Sequence, residues 1–414
     1  MSSPVKLIVT DDLQRSRLTV FFRILLALPH LVWLLLWGVV TFFAVIANWF
    51  ATLVSGTPPQ GLHSFISRYL RYEIHVGAYL YLIANRFPGF AGEPGYEVDV
   101  ELPAPARQNR WTVFFRLLLL WPAFLLAAAL TGGIGQRSVG GLLISVAFLG
   151  WFVGLFRARM PRGMRDAGAY GLSYNAQLSA YLFVLTDRYP NSDPQTALEE
   201  LPAREDPIRL DVEDDLRRSR LTVFFRLLLA IPHIVWLFLW GIAVFVALVV
   251  NWFATLFAGR SPDALHRFLG AYLRYQTHVV AYIGLTANPF PGFLGEPGTY
   301  PVDLQIAPRE EQNRWTVFFR MLLALPAALI SAAYGGLFGV AAFLGWFVAL
   351  VRGELPVGLR NAMALALRYQ QQLNAYVYLL TPSYPYSGPI ALAPVAADGA
   401  PPPAFPPDAL VTPA

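Results

Sequence analysis

Residues 17–54 are apolar at almost every position, RLTVFFRILLALPHLVWLLLWGVVTFFAVIANWFATLV, and after Arg17 they hold one charge, Arg23. As a helix this stretch would span about 57 Å at ~1.5 Å per residue, whereas a hydrocarbon core of about 30 Å is crossed by ~20 residues. It is long enough to fold back as a two-helix membrane hairpin. Short runs of strict alternation stand ahead of it and of three similar stretches, at 5–9, 97–102, 208–213 and 302–306. A period of two predicts strands with one wet and one covered face, and the four are expected to pair into one small sheet.

The apolar stretch returns because the chain repeats. Arg17-Leu-Thr-Val-Phe-Phe-Arg23 recurs at 110–116, 220–226 and 314–320, and Pro29, Pro122, Pro232 and Pro326 each follow six residues later. The first and third copies match closely, as do the second and fourth, so the order is A-B-A′-B′. Copy A takes 1–95 and B 96–203, forming one unit. A′ takes 204–298 and B′ 299–386, forming a second. The Pro/Ala-rich tail, 387–414, reads as disordered.

In copy B the apolar run is split by Gly132-Gly-Ile-Gly-Gln-Arg-Ser138. The other copies are nine residues shorter there, and B′ keeps Gly335-Gly336 at the joint. All four therefore read as hairpins, with A and A′ turning near Gly38 and Gly241. A competing reading is an interfacial helix up to the proline followed by one span. After each apolar stretch comes an amphipathic helix. In 63–83, Ser64, Arg68, Arg71 and His75 form a polar stripe against Phe65, Tyr69, Tyr72, Val76 and Tyr79, and 265–285 repeats it with Arg267, Arg274 and His278. A turn such as Phe87-Pro-Gly-Phe-Ala-Gly-Glu-Pro-Gly95 closes the copy. Arginines stand before and after the apolar stretches and, Arg137 excepted, not at the hairpin tips. The positive-inside rule then places both termini in the cytoplasm. The expected fold class is mainly α: a polytopic helical membrane protein with a fourfold repeat of strand, hairpin and interfacial helix, about eight spans, and a small cytoplasmic sheet.

Composition strengthens the membrane assignment and narrows the chemistry. Of 414 residues, 56% are hydrophobic and 14% charged, against about 25% charged in ordinary globular domains. Without cysteine there is no disulfide, thiolate metal site or cysteine nucleophile. Lys6 is the one lysine, so guanidinium groups carry nearly all the positive charge, and they form no basic nucleic-acid face. The N-terminus offers no small-residue cleavage site and is expected to be no cleavable signal; the first apolar helix would serve uncleaved.

Arg23, Arg116, Arg226 and Arg320 lie six residues inside their segments, shallow enough to snorkel to phosphates. With Arg68, Arg71 and Arg274 they are the headgroup- or anion-binding candidates. His30, His75, His233 and His278, with Asn48 and Asn251, are candidates for a polar path or a ligand. No ligand-like histidine spacing occurs, and no metal or cofactor is expected. No nucleophile elbow, P-loop, HExxH or dinucleotide fingerprint appears, so no enzymatic activity is expected.

The sequence RLTVFFRLLLAIPH, then NWFATL, LHRFLGAYLRY and a closing FPGF or RYP, resembles the DUF4389 family of bacterial membrane proteins. The likeness covers residues 1 to about 386, and Ala123 and Ala327 depart from it by replacing the histidine after the proline. It implies a bacterial inner-membrane protein and no assigned activity. The expected role is non-catalytic: membrane phospholipids as partners, engaged at their headgroups, and a protein partner scaffolded on the cytoplasmic sheet. The alternative is a transporter or channel with pseudo-twofold repeat symmetry. A polar cavity between the halves would favour the conduit, and an apolar filling the lipid role.

Overall fold

The computed structural model describes residues 4–132 and 140–391. Copy A forms β1 (Lys6–Val9), α1 (Arg17–Ser55) and α2 (Gln60–Leu80). Copy B forms β2 (Val98–Glu101), α3 (Arg110–Phe114), α4 (Arg116–Thr131), α5 (Leu142–Arg157) and α6 (Arg162–Leu182). Copy A′ forms β3 (Ile208–Val212), α7 (Arg220–Ala258) and α8 (Asp263–Ile283). Copy B′ forms β4 (Val302–Ile306), α9 (Arg314–Phe318), α10 (Arg320–Arg352) and α11 (Val357–Val377). The fold is mainly helical, and α1, α7 and α10 are long and apolar enough to cross a membrane.

The hairpin turns expected at Gly38 and Gly241 are absent. Helices α1 and α7 run unbroken for 39 residues each, and α10 passes through Gly335-Gly336 for 33. A helical glycine costs only about 1 kcal/mol relative to alanine, which a continuous packed stripe outweighs. At these positions the missing side chain makes room: a Cβ on Gly38 would lie 3.0 Å from Tyr69 Oη, and one on Gly241 3.4 Å from Tyr272 Oη. The four prolines also sit inside helices, on the exposed side. An eight-span count resting on hairpins does not follow from these helices.

Copy B shows the same path with an insertion. Helix α4 stops at Thr131 and α5 starts at Leu142, yet a Cβ on Gly141 would lie 2.1 Å from Gly132 N. The ends are adjacent, so the extra residues leave a helix trajectory that B′ completes without interruption. Their centre, Arg137 included, lies outside the described residues, as does the tail from 392 on. Residues 387–391 are placed: Tyr334 Oη donates to Ser387 O, and Gln195 Nε2 to Ile390 O at 2.9 Å.

The single sheet expected from four strands is two separate antiparallel pairs. Strand β1 pairs with β2, Leu7 opposite Val100, and β3 with β4, Leu210 opposite Leu304. Each pair needs no third strand because helices cover its apolar face. Val5, Leu7, Val98 and Val100 share a core with Ile66, Leu70 and Ile74 of α2, and Ile208, Leu210, Val302 and Leu304 share one with Leu269 and Leu273 of α8. Asp11 and Asp12, which resemble helix caps in sequence, instead accept from Leu13 N and Gln14 N in the approach to α1.

Each apolar helix lies along a 21-residue helix of its own copy: α1 on α2, α4 and α5 on α6, α7 on α8, α10 on α11. Helix α10 packs on α4 and α5 where the two units meet. The strands pack on the 21-residue helices: β2 on α2, β1 on α6, β4 on α8 and β3 on α11. The order of layers is apolar helices, 21-residue helices, sheets.

Candidate functional site at the helix ends and the apolar face

The 21-residue helices all end alike. Just past each end a non-glycine residue adopts the left-handed conformation: Leu82, Val184, Leu285 and Leu379, with φ of 61° to 64°. The last carbonyls of a helix lack intrahelical partners and carry its negative dipole end. The repeated arginines fill that place. Arg23 Nη1 donates to Tyr79 O (2.7 Å) and Ala84 O (3.0 Å), with its guanidinium 4.3 Å from the Tyr79 ring centroid. Arg226 Nη1 donates to Tyr282 O (2.5 Å) and Ala287 O (2.9 Å), over the Tyr282 ring. Arg116 reaches Tyr181 O, Thr186 O and Gln108 Oε1. Arg320 reaches Gln312 Oε1 and stands over Tyr376.

These four side chains are 1–2% exposed. Snorkelling outward to headgroups, their expected use, is not what they do. Position 23 lies in register with Val20, Ala27 and His30 on the covered stripe of α1 and so points inward.

A second set of groups meets the same helix ends. Arg15 Nη2 donates to Leu82 O at 2.8 Å while paired with Asp11, and Arg218 Nη2 to Leu285 O at 2.8 Å while paired with Asp214. In B and B′ the equivalents are Gln108 to Val184 O (3.0 Å) and Gln312 to Leu379 O (2.7 Å). Asn48 and Asn251 complete the set from neighbouring copies, donating to Phe183 O (3.1 Å) and Tyr378 O (2.9 Å). They hold copies together. Sequence reasoning missed the glutamines and the tyrosine partners. Their signal was the constant spacing, 56 residues from Arg23 to Tyr79 and from Arg226 to Tyr282.

His30 and His233 are anchors for the closing turn. His30 Nδ1 meets Tyr72 Oη at 2.6 Å, and the ring stacks on Phe90 at 4.3 Å; His233 meets Tyr275 Oη at 2.7 Å and stacks on Phe293 at 4.5 Å. Copies B and B′ have no Phe-Pro-Gly-Phe turn, which accounts for Ala123 and Ala327 in its place. His75 and Arg71 converge on Asp99 Oδ1 at 3.1 and 3.2 Å, and His278 and Arg274 on Asp303 Oδ1 at 2.9 and 3.5 Å. Burial, the largest influence, pushes the Asp303 carboxyl up, but the hydrogen bonds from His278 and from the Gly298 and Leu304 N–H groups outweigh it and hold the carboxyl below the usual range. This clasp strengthens folding above the ordinary carboxylate pKa and loses that contribution as pH falls through the lowered one. Arg68 is exposed. No group of three or more metal-ligating side chains occurs among the described residues.

Glu73 departs from the repeat, since its counterpart is Gln276. Its Oε2 is out of solvent and unpartnered, and burial raises the carboxyl to about 7. The folded state holds this proton after the unfolded chain releases it, so stability falls as pH rises from about 4.5 to about 7. Glu73→Gln is expected to flatten that slope and to raise stability at pH 8 by about 1–3 kcal/mol. Thermal melts in detergent at several pH values check it; an unchanged slope contradicts the assignment.

The largest exposed feature is apolar. Along α1 the outward residues include Leu18, Phe21, Leu25, Val32, Leu36, Val39, Phe43, Phe50 and Val54, and α7 repeats the pattern. Where B meets B′ a cleft of about 970 Å³ opens between α5 and α10, lined by groups such as Phe148, Phe152, Leu325, Ile330, Tyr369 and Tyr376. A single family model, described as Domain of unknown function (DUF4389), matches residues 17–91, 110–192, 220–294 and 314–387. The chain belongs to this family. No curated protein and no solved structure matches it. Each DUF4389 copy begins at the first arginine of its repeated motif and includes the helix end that the second arginine caps.

Proposed function

We propose that this tandem DUF4389 protein is a non-catalytic component of the bacterial inner membrane that engages phospholipid through its apolar helices and presents its two sheets to a protein partner. The observation that carries the reading is the apolar face of α1, α7 and α10, which no element among the described residues covers. Such a face on a soluble molecule would drive association. The seam between the units supports the lipid role over the conduit, because its cleft is lined mostly by apolar and aromatic side chains, with Arg157 and Ser387 among them. Headgroup contact falls to the exposed arginines at helix ends, Arg17, Arg110, Arg157, Arg220, Arg314 and Arg352, in place of the buried set.

The full chain is expected to stay with vesicles through high-salt and alkaline washing and to float with them; recovery in the aqueous phase overturns the reading. An anionic headgroup near one arginine is favoured by about 1 kcal/mol. Arg157→Gln with Arg352→Gln is therefore expected to lower the preference for phosphatidylglycerol over phosphatidylcholine by about fivefold per charge. Quenching of tryptophan by brominated forms of each lipid in reconstituted vesicles measures that ratio.

A further inference from the structure

We infer that the long helices lie along one leaflet of the bilayer, sunk into it from a single side, and do not cross it. The inference rests on the lipid-engaging reading and specifies its geometry. The first ground is length. The exposed apolar stripe of α1 runs from Leu18 (69% exposed) through Leu36 (56%) to Val54 (75%). At ~1.5 Å per residue that is ~54 Å of surface demanding hydrocarbon. Fitting it within about 30 Å would take a tilt of about 56°, outside the 0–40° range of spanning helices.

The second ground is what stands level with the midpoint of α1. Helix α2 runs antiparallel to it, with Tyr79 at Arg23, Tyr72 at His30 and Tyr69 at Gly38. The middle of α2 is therefore level with the middle of the 39-residue helix. Against that middle, through Ile66, Leu70 and Ile74, packs the β1–β2 sheet. Lys6 and Glu101 face each other across it, both exposed, and Arg68 is exposed beside Tyr69. Were α1 upright, these charges and two open strand edges would sit at the bilayer centre. Each charge there costs ~2.5–3.5 kcal/mol on insertion scales, and open sheet edges are not tolerated in lipid at all.

Copy A′ repeats the arrangement. Tyr282 stands at Arg226, Tyr275 at His233 and Tyr272 at Gly241, while β3–β4 packs on Leu269 and Leu273. With the long helices horizontal the conflict disappears. Their outward faces meet acyl chains, α2, α6, α8 and α11 form the second layer, and both sheets reach water on one side. The polar half of an ordinary interfacial helix is here replaced by the protein's own second layer. The partner surface that this face fits is a single phospholipid leaflet.

The absence of cysteine permits a direct test in the full chain in oriented vesicles. Asp12→Cys and Thr57→Cys bracket α1 at exposed positions. An impermeant maleimide is expected to label both from the same face; labelling from opposite faces overturns the inference. Nitroxides on Leu18→Cys, Leu36→Cys and Val54→Cys, all outside the core, are expected to report one common depth by oxygen accessibility. A profile deepest at residue 36 and shallow at both ends equally overturns it. Protein that fails to float with vesicles would instead refute the lipid reading beneath it.

Discussion

Arg226→Met lowers the stability of the protein by about 2–4 kcal/mol, and Arg226→Lys recovers less than half of that loss. The reasoning begins with the two carbonyls, Tyr282 O and Ala287 O, that Arg226 Nη1 serves together with Asn288 Oδ1 on Nη2. Methionine fills the volume but leaves Ala287 O without its donor, at about 1–3 kcal/mol, and Tyr282 O with the Leu285 N–H alone. It also removes the cation from the Tyr282 ring face, 4.5 Å away. Lysine restores charge but not the planar fork that stacks on a ring while bridging two acceptors. If the arginine served headgroups, lysine would substitute freely. A detergent-solubilised Arg226→Lys protein with the thermal half-life of the parent would therefore sink the helix-end assignment.

The reason the sequence reading misplaced this arginine is visible in α1 itself. Its covered stripe carries Arg23, His30, Thr41, Asn48 and Thr52, and the corresponding stripe of α7 carries Arg226, His233, Asn251 and Thr255. The outward side is almost wholly apolar. Hydropathy patterning normally assigns apolar residues to the core, and in α1 the apolar residues face outward while the polar ones are covered, so the rule is inverted. Isolated polar residues recurring on one face of a long apolar helix were the available signal. The fourfold repeat and the strands were legible because motif identity and period-2 alternation are local properties. The third helix was also legible, expected at 63–83 and observed at Gln60–Leu80.

Three features depended on tertiary contacts and were not legible. The continuity of α1 past Gly38 rests on Tyr69 filling the space that glycine leaves. The division into two sheets rests on helices that cover each strand pair. The partners of His75 and His278 lie on strands 24 and 25 residues away, where Asp99 and Asp303 read simply as the wet side of an alternating run.

Gly92→Ala and Gly295→Ala are each expected to cost about 4 kcal/mol or more, among the largest effects a single methyl group can have. Both glycines lie in the Phe-Pro-Gly-Phe turn that follows the 21-residue helix, at φ of +62° and +64°. A side chain in the left-handed region adds strain of about 1 kcal/mol or more. Steric contact costs more than this strain. A Cβ on Gly92 would lie 2.3 Å from Arg68 O, and one on Gly295 2.4 Å from Ala271 O and 2.7 Å from Tyr275 N. Those atoms belong to the backbone of α2 and α8 and cannot swing aside. The turn must lift instead, drawing Phe90 from His30 and breaking the 3.0 Å bond from Trp33 Nε1 to Phe90 O. Gly89 and Gly292, three residues earlier in the same turns, have nothing within 4 Å of where a Cβ would lie. Their alanine variants are expected within about 0.5 kcal/mol of the parent. Thermal denaturation and limited proteolysis of the four variants side by side would separate backbone approach from general turn flexibility. Equal stability of Gly295→Ala and Gly292→Ala would show that the closing turn is not seated on α8 as described.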